Sequence, residues 1–167
     1  MNKSSEIREI MIILKDYDPI IIGTFPIKIN IAGSDIDIAC HATDLNVFQT
    51  FLQTNFSSYS LFKGNLNSKR YVASFYATDI PVEIYAEPIP SKKQNGYRHM
   101  IIEDRILKLL GESFRKDIIN LKKQGYKTEP AFGKLLKMKE PYFELLLLEE
   151  LDDENLKEFL NTTYSTK

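Results

Sequence analysis

The sequence predicts an α+β (mixed α/β) protein, with a mixed β-sheet flanked by helices and a helical C-terminal half. Three observations carry this. Short β-branched or alternating runs crowd the first 90 residues, helical spacing takes over from Lys92 onward, and Pro88-Ile89-Pro90 marks the change between them. The expected division is a sheet core over residues 1–90 and a helical part over 91–167, packed on it as one compact unit.

Ile7, Ile10, Met11 and Leu14 recur at helical spacing behind Ser4 and Ser5, which are expected to cap a first helix. Pro19 to Ile22 is a short β-branched run ending at Gly23-Thr24, the pattern of a buried strand closed by a tight turn. Ser34 to Cys40 alternates up to Ile38, which gives a strand with one acidic and one apolar face. Thr43 or Asp44 then caps a second helix whose inner stripe is Leu45, Phe48, Phe51 and Leu52. Residues 58–62, 70–77 and 80–86 read as further strands, with Gly64 to Lys69 as the hairpin loop. Helices follow up to Leu110, over 113–124, 129–138 and 142–151, and over 152–160. Gly111 and Gly125 close two of them, and Pro130 and Pro141 start two.

Composition narrows the functions available. With 22 basic and 23 acidic side chains the net charge is −1, which argues against a broad nucleic-acid-binding surface and leaves room only for a local basic groove. The single cysteine, Cys40, excludes an internal disulfide and a cysteine zinc site, and it reads as a buried small hydrophobe. The charged N-terminal stretch is unlike a signal peptide, and Leu145 to Leu148 is too short to span a bilayer. A cytoplasmic location is the expectation.

The chemistry concentrates in three acids. Asp35 and Asp37 stand at i and i+2 of one strand, so both carboxylates leave the same face, roughly 7 Å apart along it. Like charges so placed repel unless a cation lies between them, and hard oxygen donors suit Mg²⁺ or Mn²⁺. Glu83, isolated among apolar residues in Pro81-Val82-Glu83-Ile84-Tyr85, is a third acid. If its strand adjoins the first, the three converge on one point able to hold two metal ions. Gly23-Thr24 and Ser34 are candidate phosphate holders, provided a helix begins behind the Gly-Thr turn. Lys69 and Arg70, at a strand start, reach a triphosphate or are simply solvated. Arg98 and His99 either reach a phosphate or pin the helical half in place, and the sequence leaves both readings open. Lys28, His41 and the acidic stretch Glu149 to Glu158 read as local or solvated.

These residues form a pattern. Ile22-Gly23-Thr24, then Asp35-Ile36-Asp37-Ile38, then Val82-Glu83-Ile84 resembles the polymerase-beta-type nucleotidyltransferase superfamily, with Thr24 where serine is usual. Gly23 to Ile27, Gly33 to Asp37, Gln94 to Met100 and Lys127 to Phe132 resemble, more narrowly, the bacterial domain of unknown function 4269, over roughly residues 20–148. The resemblance implies a nucleotidyltransferase fold and brings no established reaction. It implies transfer of a nucleoside monophosphate from an NTP to an unknown acceptor. In that reading Asp35, Asp37 and Glu83 are catalytic and metal-binding, Glu83 favours deprotonation of the acceptor, and Gly23, Thr24, Ser34, Lys69 and Arg98 bind the nucleotide. The alternative is a non-catalytic nucleotide-binding or antitoxin-like interaction module on the same fold.

Overall fold

The computed structural model describes residues 3–165. The chain divides into two compact units: Met1–Pro26 with Gly33–Tyr97, and Ile27–Ala32 with Arg98–Lys167.

The first unit is built on a five-stranded sheet. Its strands are β1 (Ile20–Ile22), β2 (Ile36–His41), β3 (Ser60–Leu66), β4 (Tyr71–Ala77) and β5 (Ile80–Glu87), arranged β1-β2-β5-β4-β3. Only β2 and β5 run parallel; the other neighbours are antiparallel, so the sheet is mixed as the sequence predicts. Alternation then sorts the side chains. Ile36, Ile38 and Cys40 of β2, Val82, Ile84 and Ala86 of β5, and Tyr71, Ala73 and Phe75 of β4 are buried on one face. That face forms a core with α1 (Lys3–Ile13) and α2 (Leu45–Phe56), through Ile10, Phe48, Leu52 and Phe56. Asp44 caps α2, accepting from the N–H groups of Asn46 and Val47 at 3.0 and 3.1 Å. Ser4 and Ser5 lie inside α1 and do not cap it, because the helix starts at Lys3.

The hairpin differs from the reading of the sequence. Gly64 to Leu66 belong to β3, and only residues 67–70 turn, with Asn67 accepting from the backbone N–H of Lys69 and Arg70 at 2.8 and 2.9 Å. A register shift between Ser60 and Lys63, with Leu61 at φ 56°, carries the strand past the point where the apolar pattern fades.

The second unit holds most of α3 (Asn95–Leu110), then α4 (Glu112–Lys123), α5 (Thr128–Leu136), α6 (Pro141–Leu147) and α7 (Asp153–Thr163). Phe114 and Phe132 meet edge to face at 5.5 Å in its core, and Phe114 meets Tyr164 at 4.9 Å. Gly133 lets the start of α6 close on α5: a Cβ there would sit 2.8 Å from the Pro141 Cβ. No helix among the described residues is long and apolar enough to cross a membrane.

Candidate active site

The sheet's second face carries the chemistry. Strand register places Ile22, Asp37, Glu83, Ser74 and Lys63 in one row across β1, β2, β5, β4 and β3. Neighbouring strands lie about 4.8 Å apart, so Asp37 and Glu83 stand side by side, one strand spacing from each other. Both are half-buried, whereas Asp35 is exposed and lies just ahead of β2 in the loop rather than within the strand. Asp35, Glu83, Ser74 and Lys63 line a common cavity of about 380 Å³.

Gly23 is fixed by this geometry. Its φ is +80°, and a Cβ there would fall 2.4 Å from Oδ2 of Asp37, so the backbone lies directly against that carboxylate. Behind it, residues 24–28 form consecutive turns, and no α-helix starts there. The condition under which Gly23-Thr24 would present a helix N-terminus to a phosphate is therefore not met; what remains is the turn backbone and the Thr24 hydroxyl. Ser34 lies in the lead-in to Asp35 and is half-buried.

Tyr85 shares the face, two residues along β5 from Glu83. Its phenol is pushed well above the ordinary range, first by burial and then by the negative charges of Asp37, Glu87 and Glu83, with Arg70 opposing. The acids therefore act together on one patch of the sheet. Gly96 in the first turn of α3 makes room for this ring, since a Cβ there would lie 2.1 Å from the Tyr85 Oη.

The strand pairing thus brings Asp37 and Glu83 together, and Asp35 to the same cavity as Glu83. It does not gather all three onto one point: among the described residues no three His, Cys, Asp or Glu side chains are close enough to hold a metal ion. Asp37 and Glu83, adjacent carboxylates in register, are oxygen donors of the kind a hard divalent cation takes.

The remaining sequence-predicted residues are spread out. Lys69 is exposed in the β3–β4 turn, beside a 480 Å³ cavity that also takes in Arg70, Glu87 and Asn95. Four to five residues along the strand from the Ser74 rung, its backbone is about 15 Å from the acid row. Arg98 belongs to the second unit, where its Nε and Nη2 donate to Glu149 at 3.0 and 2.8 Å. Glu149 is therefore an ion-pair partner, and the solvated-face reading of that residue is corrected. Beside it, the His99 ring Nε2 is 2.7 Å from the Tyr142 carbonyl oxygen, so Arg98 and His99 tie α3 to the helices that follow within their unit. Lys63, Ser74 and Tyr85 were missed by sequence reasoning. Tyr85 was recoverable as the i+2 neighbour of Glu83, while Lys63 was hidden by the register shift in β3.

The fold is shared with solved structures to which the sequence is only distantly similar. The fold is similar to that in a structure of the GLD-2/RNP-8 complex (TM-score 0.57, 13% identity, 95% of this chain and 72% of that one). It is also similar to a cytoplasmic RNA terminal U-transferase (0.52, 13%, 84% and 39%) and to the polymerase core of TRAMP, an RNA surveillance complex (0.51, 14%, 96% and 54%). The chain spans about four-tenths and about half of the last two structures' own lengths. No curated protein matches it in sequence. The chain belongs to the family Domain of unknown function (DUF4269), whose model matches residues 5–148.

Proposed function

We propose that the protein is a metal-dependent nucleotidyltransferase that moves a nucleoside monophosphate from an NTP to an acceptor hydroxyl or amine. The observation that supports this reading most is the in-register Asp37–Glu83 pair, with Asp37 lying against Gly23. Asp35, Asp37 and Glu83 would hold Mg²⁺ or Mn²⁺. Such ions, when bound, lower an acceptor's pKa and neutralise charge on the departing pyrophosphate. Glu83 accepts the acceptor's proton or orients its hydroxyl, while Gly23, Thr24 and Ser34 line the side of Asp37 on which the nucleotide phosphates would rest. Lys69 serves the nucleotide only through a long reach along the sheet, and Arg98 only by exchanging Glu149 for phosphate. The protein would act away from membranes, in the cytoplasm.

The test is transfer of label from α-labelled NTP in cell extract with Mg²⁺ or Mn²⁺. Asp37→Asn should cut labelling by two to four orders of magnitude, the range of a positioned catalytic group, and weaken NTP affinity much less. Mn²⁺ should raise the unfolding midpoint of the wild type and not of Asp35→Asn/Asp37→Asn. The absence of a closed three-acid cluster favours a second reading, a nucleotide-binding or antitoxin-like module, which holds if NTP binds and nothing is ever labelled or cleaved.

A further inference from the structure

On the far side of Glu83 from Gly23 lies a second groove, of about 530 Å³, lined by Lys63, Asn65, Asn67, Arg70, Ser74 and Glu83. Its charge differs from that of the acid row: two cations and two amides face one carboxylate. Among the described residues neither Lys63 nor Arg70 forms a salt bridge, although Glu87 lies beside Arg70 around the adjoining cavity. Both cations are exposed. Their backbone is held firmly: Lys63 pairs with Ser74 in the sheet, and the Asn67 side chain fixes the turn that places Arg70. Exposed, unpaired cations on a rigid hairpin are suited to a ligand's phosphate, which binds guanidinium and ammonium groups strongly.

We propose that this groove is the acceptor side of the site and takes an acceptor that itself carries a phosphate, held by Lys63 and Arg70. The assignment rests on the transferase reading above and follows from the order of the row. Gly23 touches Asp37 on the β1 side, Glu83 is the next residue across, and Ser74 and Lys63 come one and two strands further, about 5 and 10 Å from Glu83. An NTP resting by Gly23 and an acceptor resting on β4 and β3 thus meet at the acid pair from opposite sides. Ser74, directly opposite Glu83, is placed to share the acceptor's hydroxyl.

The experiment uses the whole chain and the variant Lys63→Gln/Arg70→Gln, which removes both charges, keeps polar side chains at two exposed positions and should leave the unfolding midpoint unchanged. Binding of ribose 5-phosphate and of an eight-nucleotide single-stranded RNA is titrated in low salt without NTP or metal, so a failure of the transfer chemistry leaves this reading intact. ATP with Mg²⁺ is titrated separately. The expected result is that the wild type binds at least one phosphate probe, the variant binds it at least tenfold more weakly, and ATP affinity stays within twofold. Binding of ribose 5-phosphate alone identifies a small phosphorylated acceptor, and binding of the RNA alone a polynucleotide end. The proposal is overturned if neither probe binds the wild type or if the variant binds as tightly. It is also overturned if ATP affinity falls in parallel, which would make the groove part of the nucleotide site.

Discussion

The two units handle their charged groups in opposite ways. In the sheet unit, exposed Asp35 and Lys63 and half-buried Asp37 and Glu83 share one face, with Asp37 and Glu83 side by side. In the helical unit, charge is taken inside, and Glu103 Oε1 is left without a hydrogen-bond partner among the described residues. Glu103 is only 2% exposed, Lys122 is buried and donates to the Thr128 hydroxyl at 3.2 Å, and buried His99 meets the Tyr142 carbonyl. Desolvated polar groups are costly unless partnered, so the Lys122 and His99 contacts hold that unit together while an ionised Glu103 costs it stability. The acid row instead brings two half-buried carboxylates into register on neighbouring strands.

The largest expected effect breaks that row through its backbone. Gly23→Ala must relieve both a positive φ and a contact of 2.4 Å with the Asp37 carboxylate. The conformational cost is about 1–2 kcal/mol, and a carboxylate shifted by an ångström lowers transfer about 10²-fold. Gly33→Ala is the control: its φ is +83°, yet nothing lies within 4 Å of the added methyl. It should lose similar stability in a melting experiment and keep far more activity. Equal activity in the two variants would detach Gly23 from the site.

A smaller effect tests the helical unit. Burial, then the neighbouring Glu129 carboxylate, push Glu103 well above 4.5, with Lys122 opposing. The groups around it are Glu129, Lys122, Tyr142 and, one turn earlier on α3, His99. A carboxyl whose folded pKa exceeds its unfolded one favours folding fully below about 4.5, and that stability is lost as pH rises through the folded value. Glu103→Gln keeps the shape without the charge. It should flatten the fall in stability above pH 4.5 and raise the unfolding midpoint near neutrality, by about 1 kcal/mol or some 2–4 °C. A pH profile unchanged by the substitution would place the titrating group elsewhere. Transfer activity should not follow this profile.

Much of this contrast was readable in the sequence, and the unreadable part has physical causes. The strict two-residue alternation of strands put Asp37 and Glu83 on one face, whereas Asp35 lies ahead of β2, outside the strand in which the sequence reading placed it. Which strand adjoins which is a matter of long-range pairing, so the rung of Asp37, Glu83, Ser74 and Lys63 appears only in the fold. The register shift in β3 hid its length and the facing of Lys63. In the helices, spacing located the apolar stripes but not the buried Glu103 or the Arg98–Glu149 pair, since a charge on a helix carries no sign of what a distant helix sets against it.

The smallest effect, a coupling between two substitutions, sharpens the comparison from inside the sheet unit, on the face away from the acids. Gly64 packs on Tyr71, whose fully buried hydroxyl has no hydrogen-bond partner among the described residues. A Cβ at Gly64 would lie 2.0 Å from that oxygen and 2.9 Å from Cζ. Gly64→Ala should therefore destabilise the protein by roughly 1–3 kcal/mol through overpacking. Tyr71→Phe removes an unpaired polar atom while the ring keeps its edge-to-face contact with Phe48 at 6.0 Å, so its own effect should be within about 1 kcal/mol of zero. Combined, the two should be less harmful than their sum by at least about 0.5 kcal/mol, because the oxygen is the nearest obstacle to the methyl. The rescue is partial, since Cζ remains close. Strict additivity in a double-mutant cycle would mean that the hydroxyl is not what confines Gly64. A loss of Mn²⁺-dependent stabilisation in either variant would show that the core face and the acid row are coupled through the sheet rather than separable by side.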